Sequence, residues 1–367
     1  MMPKSNNHSK VKQRHILMIY PGDANILFDA NARDNCVEPF ILLREECGKL
    51  GYLVEAADRQ ALQDCAWLLF LDARSVTYGT GIKGFLRRLR FVPRGRTRNW
   101  LGEAQRAEMT NQLALFLFEP PSVYPENREI SIYSQFPTVF SWNDDLVDGI
   151  HIHKFYLPIP VRVPRVEKVN FSNKKLLVNI TSNKFSRYPG ELYSARRDAI
   201  LYFEKATPND FDLYGAGWDA HGVNVRSKWR FPNPNRTSTP YSSYRGNPKH
   251  KGDILPRYRF AICYENASDQ PGLITEKIFD CMRADCVPIY WGAPNVTEYV
   301  DPAAFVDRRN FKSNQELKDY ITGINEKQYE QFREAIATYL ASERFSLFLA
   351  PAFVQKVTQV LGLNHSN

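Results

Sequence analysis

Glu119 and Lys277 are placed where chemistry could occur. Glu119 follows the apolar run 113–118 and opens a proline-rich loop, EPPSVYPEN, which delivers a carboxylate to the carboxyl end of an expected strand. A carboxylate there can take a proton from a substrate hydroxyl, or it can serve as a structural acid hydrogen-bonded to loop amides. Lys277 stands in the first turn of an expected helix, where the peptide dipole favours acids over bases. A bound phosphate would resolve that conflict, because a helix N-terminus and an ammonium group both attract anions.

The elements that must position these groups can be read outward from Lys277. Residues 258–264 form a short apolar run without helical periodicity, ended by the polar segment 265–272, as expected of a buried parallel strand feeding a loop. Thr275 can cap the helix that follows, Ile274, Ile278, Phe279 and Met282 recur at helical spacing, and Asp285 and Pro288 mark its far end. Residues 287–291 are the next strand. Before this unit, strands are expected at 15–20, 52–56, 67–71, 113–118 and 139–142, with a helix at 38–50. The prolines of 158–168 suggest a linker, after which 175–180 and 211–214 read as strands and 191–205 as a helix. Helices are expected at 315–324, 326–340 and 346–361, the last reaching back over the first domain. The alternation predicts an α/β protein with mostly parallel sheets: a first domain over 1–160, a second over 161–345 and a closing helix over 346–367.

Composition narrows the classes. A chain of 367 residues with 43% hydrophobic content can build two cores. No segment approaches the ~20 apolar residues needed to span a bilayer, and the polar, basic first fourteen residues do not read as a signal peptide. A soluble cytoplasmic protein is the expectation. The six cysteines contain no CxxC pair and read as buried free thiols in a reducing compartment, so the N-x-S/T matches are discounted. Residues 75–102 carry Lys83 and six arginines without an acid, interleaved with Phe85, Leu86, Leu89 and Phe91. That stretch suits an anionic membrane surface or an acidic acceptor, or it is a solvated insertion; without a recognised binding module, nucleic acid is not expected. The histidines show no convincing ligand spacing, and no essential metal or cofactor is expected.

The assembled motifs resemble glycosyltransferase family 10, the α-1,3/4-fucosyltransferases that use GDP-fucose. Glu265-Asn266, Ile274-Thr275-Glu276-Lys277 and the run Val-Pro-Ile-Tyr-Trp-Gly at 287–292 follow one another in the family's order. Phe118-Glu119-Pro120-Pro121 is similar to its acidic acceptor-domain motif, Trp142-Asn143-Asp144-Asp145 to the segment that follows in bacterial-type members, and 193–197 with 212–215 to its donor-domain entry. The likeness covers about 113–310. In one place it departs: Leu273 stands where many bacterial members have tyrosine, which puts a hydroxyl contact to the donor in question.

The resemblance implies a GT-B fold of two facing Rossmann-like domains and inverting transfer of L-fucose from GDP-β-L-fucose to a glycan hydroxyl. The acceptor it suggests is the 3-OH of GlcNAc or a related sugar, as in lipopolysaccharide O-antigen at the cytoplasmic membrane face. Glu119 would be the base, with Glu126, Asp144 and Asp145 in reserve. Arg197 and Lys277 would hold the phosphates, and Asn266, Glu276, Tyr264 and Thr275 would complete the donor site. Asp210-Phe211-Asp212, which looks like a metal-binding DxD, precedes a strand and is read as unrelated to metal. The alternatives are a transferase using another GDP-sugar and a glycan- or nucleotide-binding protein without activity.

Overall fold

The computed structural model describes residues 14–57, 62, 65–77, 98–162, 168–218 and 241–363. Most of the basic stretch, residues 78–97, lies outside them, so its expected surface role does too. Two sheets organise the described chain. The first contains β1 Arg14–Ile19, β2 Tyr52–Ala56, β3 Cys65–Leu71, β4 Leu113–Leu117, β5 Thr138–Ser141 and β6 Ile152–Lys154, in the spatial order 2-1-3-4-5-6. The second contains β7 Lys175–Ile180, β8 Phe211–Tyr214, β9 Tyr258–Tyr264, β10 Val287–Trp291 and β11 Val306–Asp307, in the order 11-10-9-7-8.

Every pairing within both sheets is parallel. This follows from the uninterrupted apolar runs: β4 is buried at all five positions, LALFL, because helices cover both faces of a parallel sheet. The expected α/β class with two parallel sheets is therefore what the chain forms. The order in which successive strands are added across the sheet reverses between β1 and β3 in the first sheet and between β7 and β9 in the second, while the strands stay parallel. In open α/β sheets, ligands bind in the crevice beyond the carboxyl ends of the strands at such points.

Two edge strands, β6 and β11, were not expected, since three and two residues carry too little pattern to be read. The final helical stretch divides into Glu343–Ser346 and Ala350–Val360, the second started by Pro351 in its first turn. Phe353, Val354 and Val357 of that last helix are buried in the same cluster as Ile16, Leu43 and Phe116 of the first sheet's layer. The stretch read as a linker is anchored at one point: Ile159 is 2% exposed, its amide donates to the Phe348 carbonyl at 2.8 Å, and its carbonyl accepts from the Ala350 amide at 3.0 Å.

Candidate active site

The loop after β9 is built around a buried carboxylate. Glu265 is 0% exposed, and its oxygens accept from the Thr275 amide at 2.8 Å, the Thr275 hydroxyl at 2.9 Å and the Lys277 ammonium at 2.9 Å. Thr275 is the N-cap of the helix Glu276–Arg283, so the cap also fixes the acid. The Lys277 Nζ lies 2.9 Å from the Thr275 hydroxyl as well. Two of its three N–H donors are thus directed at the protein, leaving the third for a ligand. Burial alone would lower the Lys277 pKa, but Glu265 and Glu276 hold it above the ordinary lysine value. The cation at the helix start is therefore secured by a buried acid before any ligand arrives.

Arg196 joins this cluster, and Arg197 does not. The Arg196 side chain is buried, and its Nη2 donates to the Tyr264 and Glu265 carbonyls at 2.7 and 2.8 Å, with Asn266 Oδ1 at 3.5 Å. Arg197 is turned about 100° around the helix Tyr193–Ala206, half-buried, and its charge acts on Tyr241. The arginine that the fold brings to this cluster is thus Arg196, the neighbour of Arg197, the one named from sequence. Tyr264, expected to touch the donor, is 1% exposed and packs edge-on to Trp291 with ring centroids 5.6 Å apart. A side chain on the central strand of the second sheet points into the core, and only its backbone carbonyl serves the cluster.

Glu276 is held from the side. Its Oε1 lies 3.2 Å from the Lys251 ammonium, which also contacts Asp280 Oδ2 at 2.7 Å. Burial would raise the Glu276 pKa, but Lys277 and Lys251 together keep it far below the ordinary carboxyl range. The Lys251 amide donates to Asp34 Oδ1 of the first unit at 3.1 Å, tying this corner across the two layers. Asn266 accepts from the Leu192 amide at 3.2 Å through its backbone carbonyl, so it braces the loop.

Opposite stands Glu119, immediately beyond β4. Its amide donates to Asp72 Oδ1 at 2.9 Å and its carbonyl accepts from Asn127 Nδ2 at 2.6 Å. Burial raises the Glu119 carboxyl pKa, while the charges of Lys184 and Lys277 oppose that rise. The influence of these two residues brings Glu119 into the field of the second unit's cations. Lys184, on the loop after β7, was not singled out from sequence. It lies in the field of Glu119, Lys277, Arg196 and Glu276, burial lowers its pKa, and among the described residues it has no ion-pair partner within 4 Å. Its position just past a strand was the readable signal, but a single lysine in a polar loop is common. In the sequence Glu265 is one member of a motif, and nothing in its neighbourhood marks it as the hub.

The reserve acids separate. Asp144 is ion-paired to Lys154 at 2.6 Å and accepts from Asn295 Nδ2 at 2.9 Å and the Tyr299 hydroxyl at 2.8 Å. It is a strut between the units, with its hydrogen-bonding capacity occupied, and so unsuited to act as a base. Asp145 is exposed beside it. Glu126 lies in the Glu119 loop, with a buried Oε2 that has no hydrogen-bond partner among the described residues. Gly272, at φ +81°, is pressed against the Asp144 strut: a Cβ there would lie 2.8 Å from both Asp144 Oδ2 and Lys154 Nζ. Leu273, the departure from the family pattern, is 0% exposed and buried in the first unit's core cluster beside Ala267. It fastens the loop after β9 to the opposite layer. Asp212 of the DxD-like triplet is taken up by Lys175 and Arg245, each at 2.7 Å.

Comparison with known proteins agrees with this architecture. Residues 235–346 match the family model described as glycosyltransferase family 10 (fucosyltransferase) C-term. The α-(1,3)-fucosyltransferase FucT of Helicobacter pylori is 41% identical over 75 residues, 20% of this chain and 16% of that protein. A GDP-fucose protein O-fucosyltransferase 3 of Xenopus tropicalis is 34% identical over 241 residues, 62% of this chain and 45% of that protein. The matched stretches thus span less than half of these relatives' lengths. Among solved structures, an α1,3-fucosyltransferase with GDP superposes with a TM-score of 0.51 at 15% identity, covering 100% of this chain and 96% of that one. Anabaena HepE in complex with UDP and glucose gives 0.53 at 13% identity, covering 95% and 99%. At these identities the structural likeness establishes the fold, two facing α/β domains of the GT-B type.

Proposed function

We propose that this chain, whose residues 235–346 belong to glycosyltransferase family 10, transfers L-fucose from GDP-β-L-fucose to an acceptor hydroxyl with inversion. The observation that carries this reading is one arrangement. Glu119 at the carboxyl edge of the first sheet lies in the field of Lys184 and Lys277 at the carboxyl edge of the second.

The chemistry follows from the charges. The acceptor oxygen bonds to the anomeric carbon as the bond from that carbon to the β-phosphate oxygen breaks with its electron pair. Glu119 takes the hydroxyl proton, and GDP departs as the anion. Burial suits Glu119 to this task by making it more basic than an ordinary glutamate. Lys277, Arg196 and Lys184 receive the charge that develops on the diphosphate, and Lys277, pre-oriented by Glu265, needs little reorganisation to do so. Glu276 accepts from sugar hydroxyls, and Asn266 and Thr275 hold the loop. Three basic groups can neutralise the leaving diphosphate without a metal, so turnover should persist in excess chelator; loss of turnover restored by a divalent cation would reverse this point.

The acceptor reading is a saccharide hydroxyl, with the 3-OH of GlcNAc in a lipopolysaccharide O-antigen as its finer form. A second reading is favoured by one observation: the alignment of 241 residues is to a protein O-fucosyltransferase. A polypeptide serine or threonine hydroxyl fits the same mechanism. Purified protein incubated with GDP-fucose or GDP-mannose and with either GlcNAc-terminated oligosaccharides or folded protein acceptors, followed by mass spectrometry, separates these readings. Turnover of GDP-mannose without GDP-fucose would remove the donor assignment. No helix among the described residues is long and apolar enough to cross a membrane. A peripheral cytoplasmic-face location through residues 75–102 is a further part of the proposal. Flotation with anionic vesicles checks it: equal flotation after neutralising Arg87, Arg88 and Arg90 would remove it.

A further inference from the structure

Immediately beyond the carboxyl end of β3, beside β4, the chain places an acid that the proposed chemistry does not use. Asp72 is 3% exposed, with its backbone in the left-handed region at φ +61°. A residue other than glycine is rarely placed there without cause, and such strain concentrates at functional sites. Its backbone is pinned: the amide donates to the Phe116 carbonyl at 2.7 Å, and its carbonyl accepts from the Ser75 amide and hydroxyl at 2.8 and 2.7 Å.

The carboxylate is turned toward Glu119. Asp72 Oδ1 accepts from the Phe118 amide at 2.8 Å, the Glu119 amide at 2.9 Å and Asn127 Nδ2 at 2.7 Å. Asn127 completes the grip by donating to the Glu119 carbonyl at 2.6 Å while its own Oδ1 accepts from the Ala73 amide at 2.8 Å. Both backbone polar groups of Glu119 are therefore held, and by two buried side chains that also hold each other. Among the described residues no lysine or arginine pairs with Asp72, so an acid buried at a cost is balanced by these amides alone.

We propose that Asp72, acting with Asn127, is a positioning residue that fixes the backbone of Glu119 so that its carboxylate meets the acceptor hydroxyl. The inference rests on the reading of Glu119 as the base. A loop base has rotational freedom that a strand residue lacks, and a displacement of about 1 Å can cost on the order of a hundredfold in rate. The clamp removes that freedom at the Cα and leaves only side-chain rotation.

The test compares Asp72→Ala, Asp72→Asn, Asn127→Ser and Glu119→Gln in the full chain. Turnover of GDP-fucose is measured with N-acetyllactosamine and with water as acceptor, and GDP affinity by calorimetry on folded protein. Asp72→Ala is expected to lower kcat by about tenfold to a hundredfold in both reactions, with GDP affinity within about twofold of the parent. Asp72→Asn, which keeps an oxygen facing the two amides, should recover most of the loss, which a change of charge alone would not. Asn127→Ser frees only the carbonyl side of the clamp and should show an intermediate loss; it carries the test if Asp72→Ala does not fold. Parental kcat per folded molecule in these variants, alongside an inactive Glu119→Gln, would overturn the clamp and leave the base assignment standing. Full turnover by Glu119→Gln would remove the base reading and the clamp with it.

Discussion

The two sheet edges that face each other solve the problem of a buried charge in opposite ways. On the second sheet, Glu265 is neutralised by an ion pair: Lys277 sits 2.9 Å away, and the Thr275 cap fills the remaining acceptor sites. On the first sheet, Asp72 has only amide donors, and burial pushes its pKa up to about 7. The difference matches the tasks. The ion pair keeps charged the ammonium of Lys277, the group proposed to receive a diphosphate, whereas the amide bonds to Asp72 hold the backbone of Glu119, the proposed base.

Removing the acid at the centre of the first edge gives the largest expected effect. Glu119→Gln should lower kcat by about 10² to 10⁴ while GDP binding stays unchanged, as read by steady-state kinetics and calorimetry. On the opposite edge, Lys277→Met should cost about 10² to 10³ in turnover, the usual loss for one charge-stabilising group. It should also destabilise the fold by about 3–5 kcal/mol, because Glu265 is left buried without its cation. Denaturant titration of Lys277→Met against the double variant Lys277→Met/Glu265→Gln sharpens this: the second change should recover part of the stability and none of the turnover.

The contrast also has a pH signature. Burial raises the Glu119 pKa, so the fraction of ionised base, and with it kcat/KM, should begin to fall with acidification at a higher pH than an ordinary glutamate would give. A pH–rate profile whose acid limb lies at or below the ordinary glutamate value would break the assignment. The smallest predicted effect separates two adjacent arginines. Arg196→Gln should weaken GDP binding measurably, whereas Arg197→Gln should change kcat and GDP affinity by no more than about twofold, as for a substitution outside the site.

Legibility differed between the edges for a physical reason. The second edge is local: Glu265, Thr275 and Lys277 lie within one strand-loop-helix unit, and the helix start with its misplaced lysine marked a candidate anion site. The first edge is assembled from three separate segments, with Asp72, Glu119 and Asn127 brought together by strand order. Asp72 stands in an unremarkable Leu-Asp-Ala sequence, and nothing in its neighbours foretells that two amides 46 and 47 residues away will bond to it. Tyr264 was misread because a strand end gives no direction to a side chain until its sheet has neighbours. Asp144 was misread because its partners Lys154, Asn295 and Tyr299 come from both units.

By itself the sequence determined the alternation of strand and helix, the parallel character of the sheets and the strand-loop-helix-strand unit around Lys277. Each of these depends on apolar periodicity and capping within a few consecutive residues. Only the tertiary structure decided that Arg196 rather than Arg197 enters the cluster and that Leu273 serves packing between the layers. It likewise decided that Glu119 stands opposite Lys277. Those outcomes depend on which faces of distant elements meet, and burial and long-range charge are set by that meeting rather than by any local pattern.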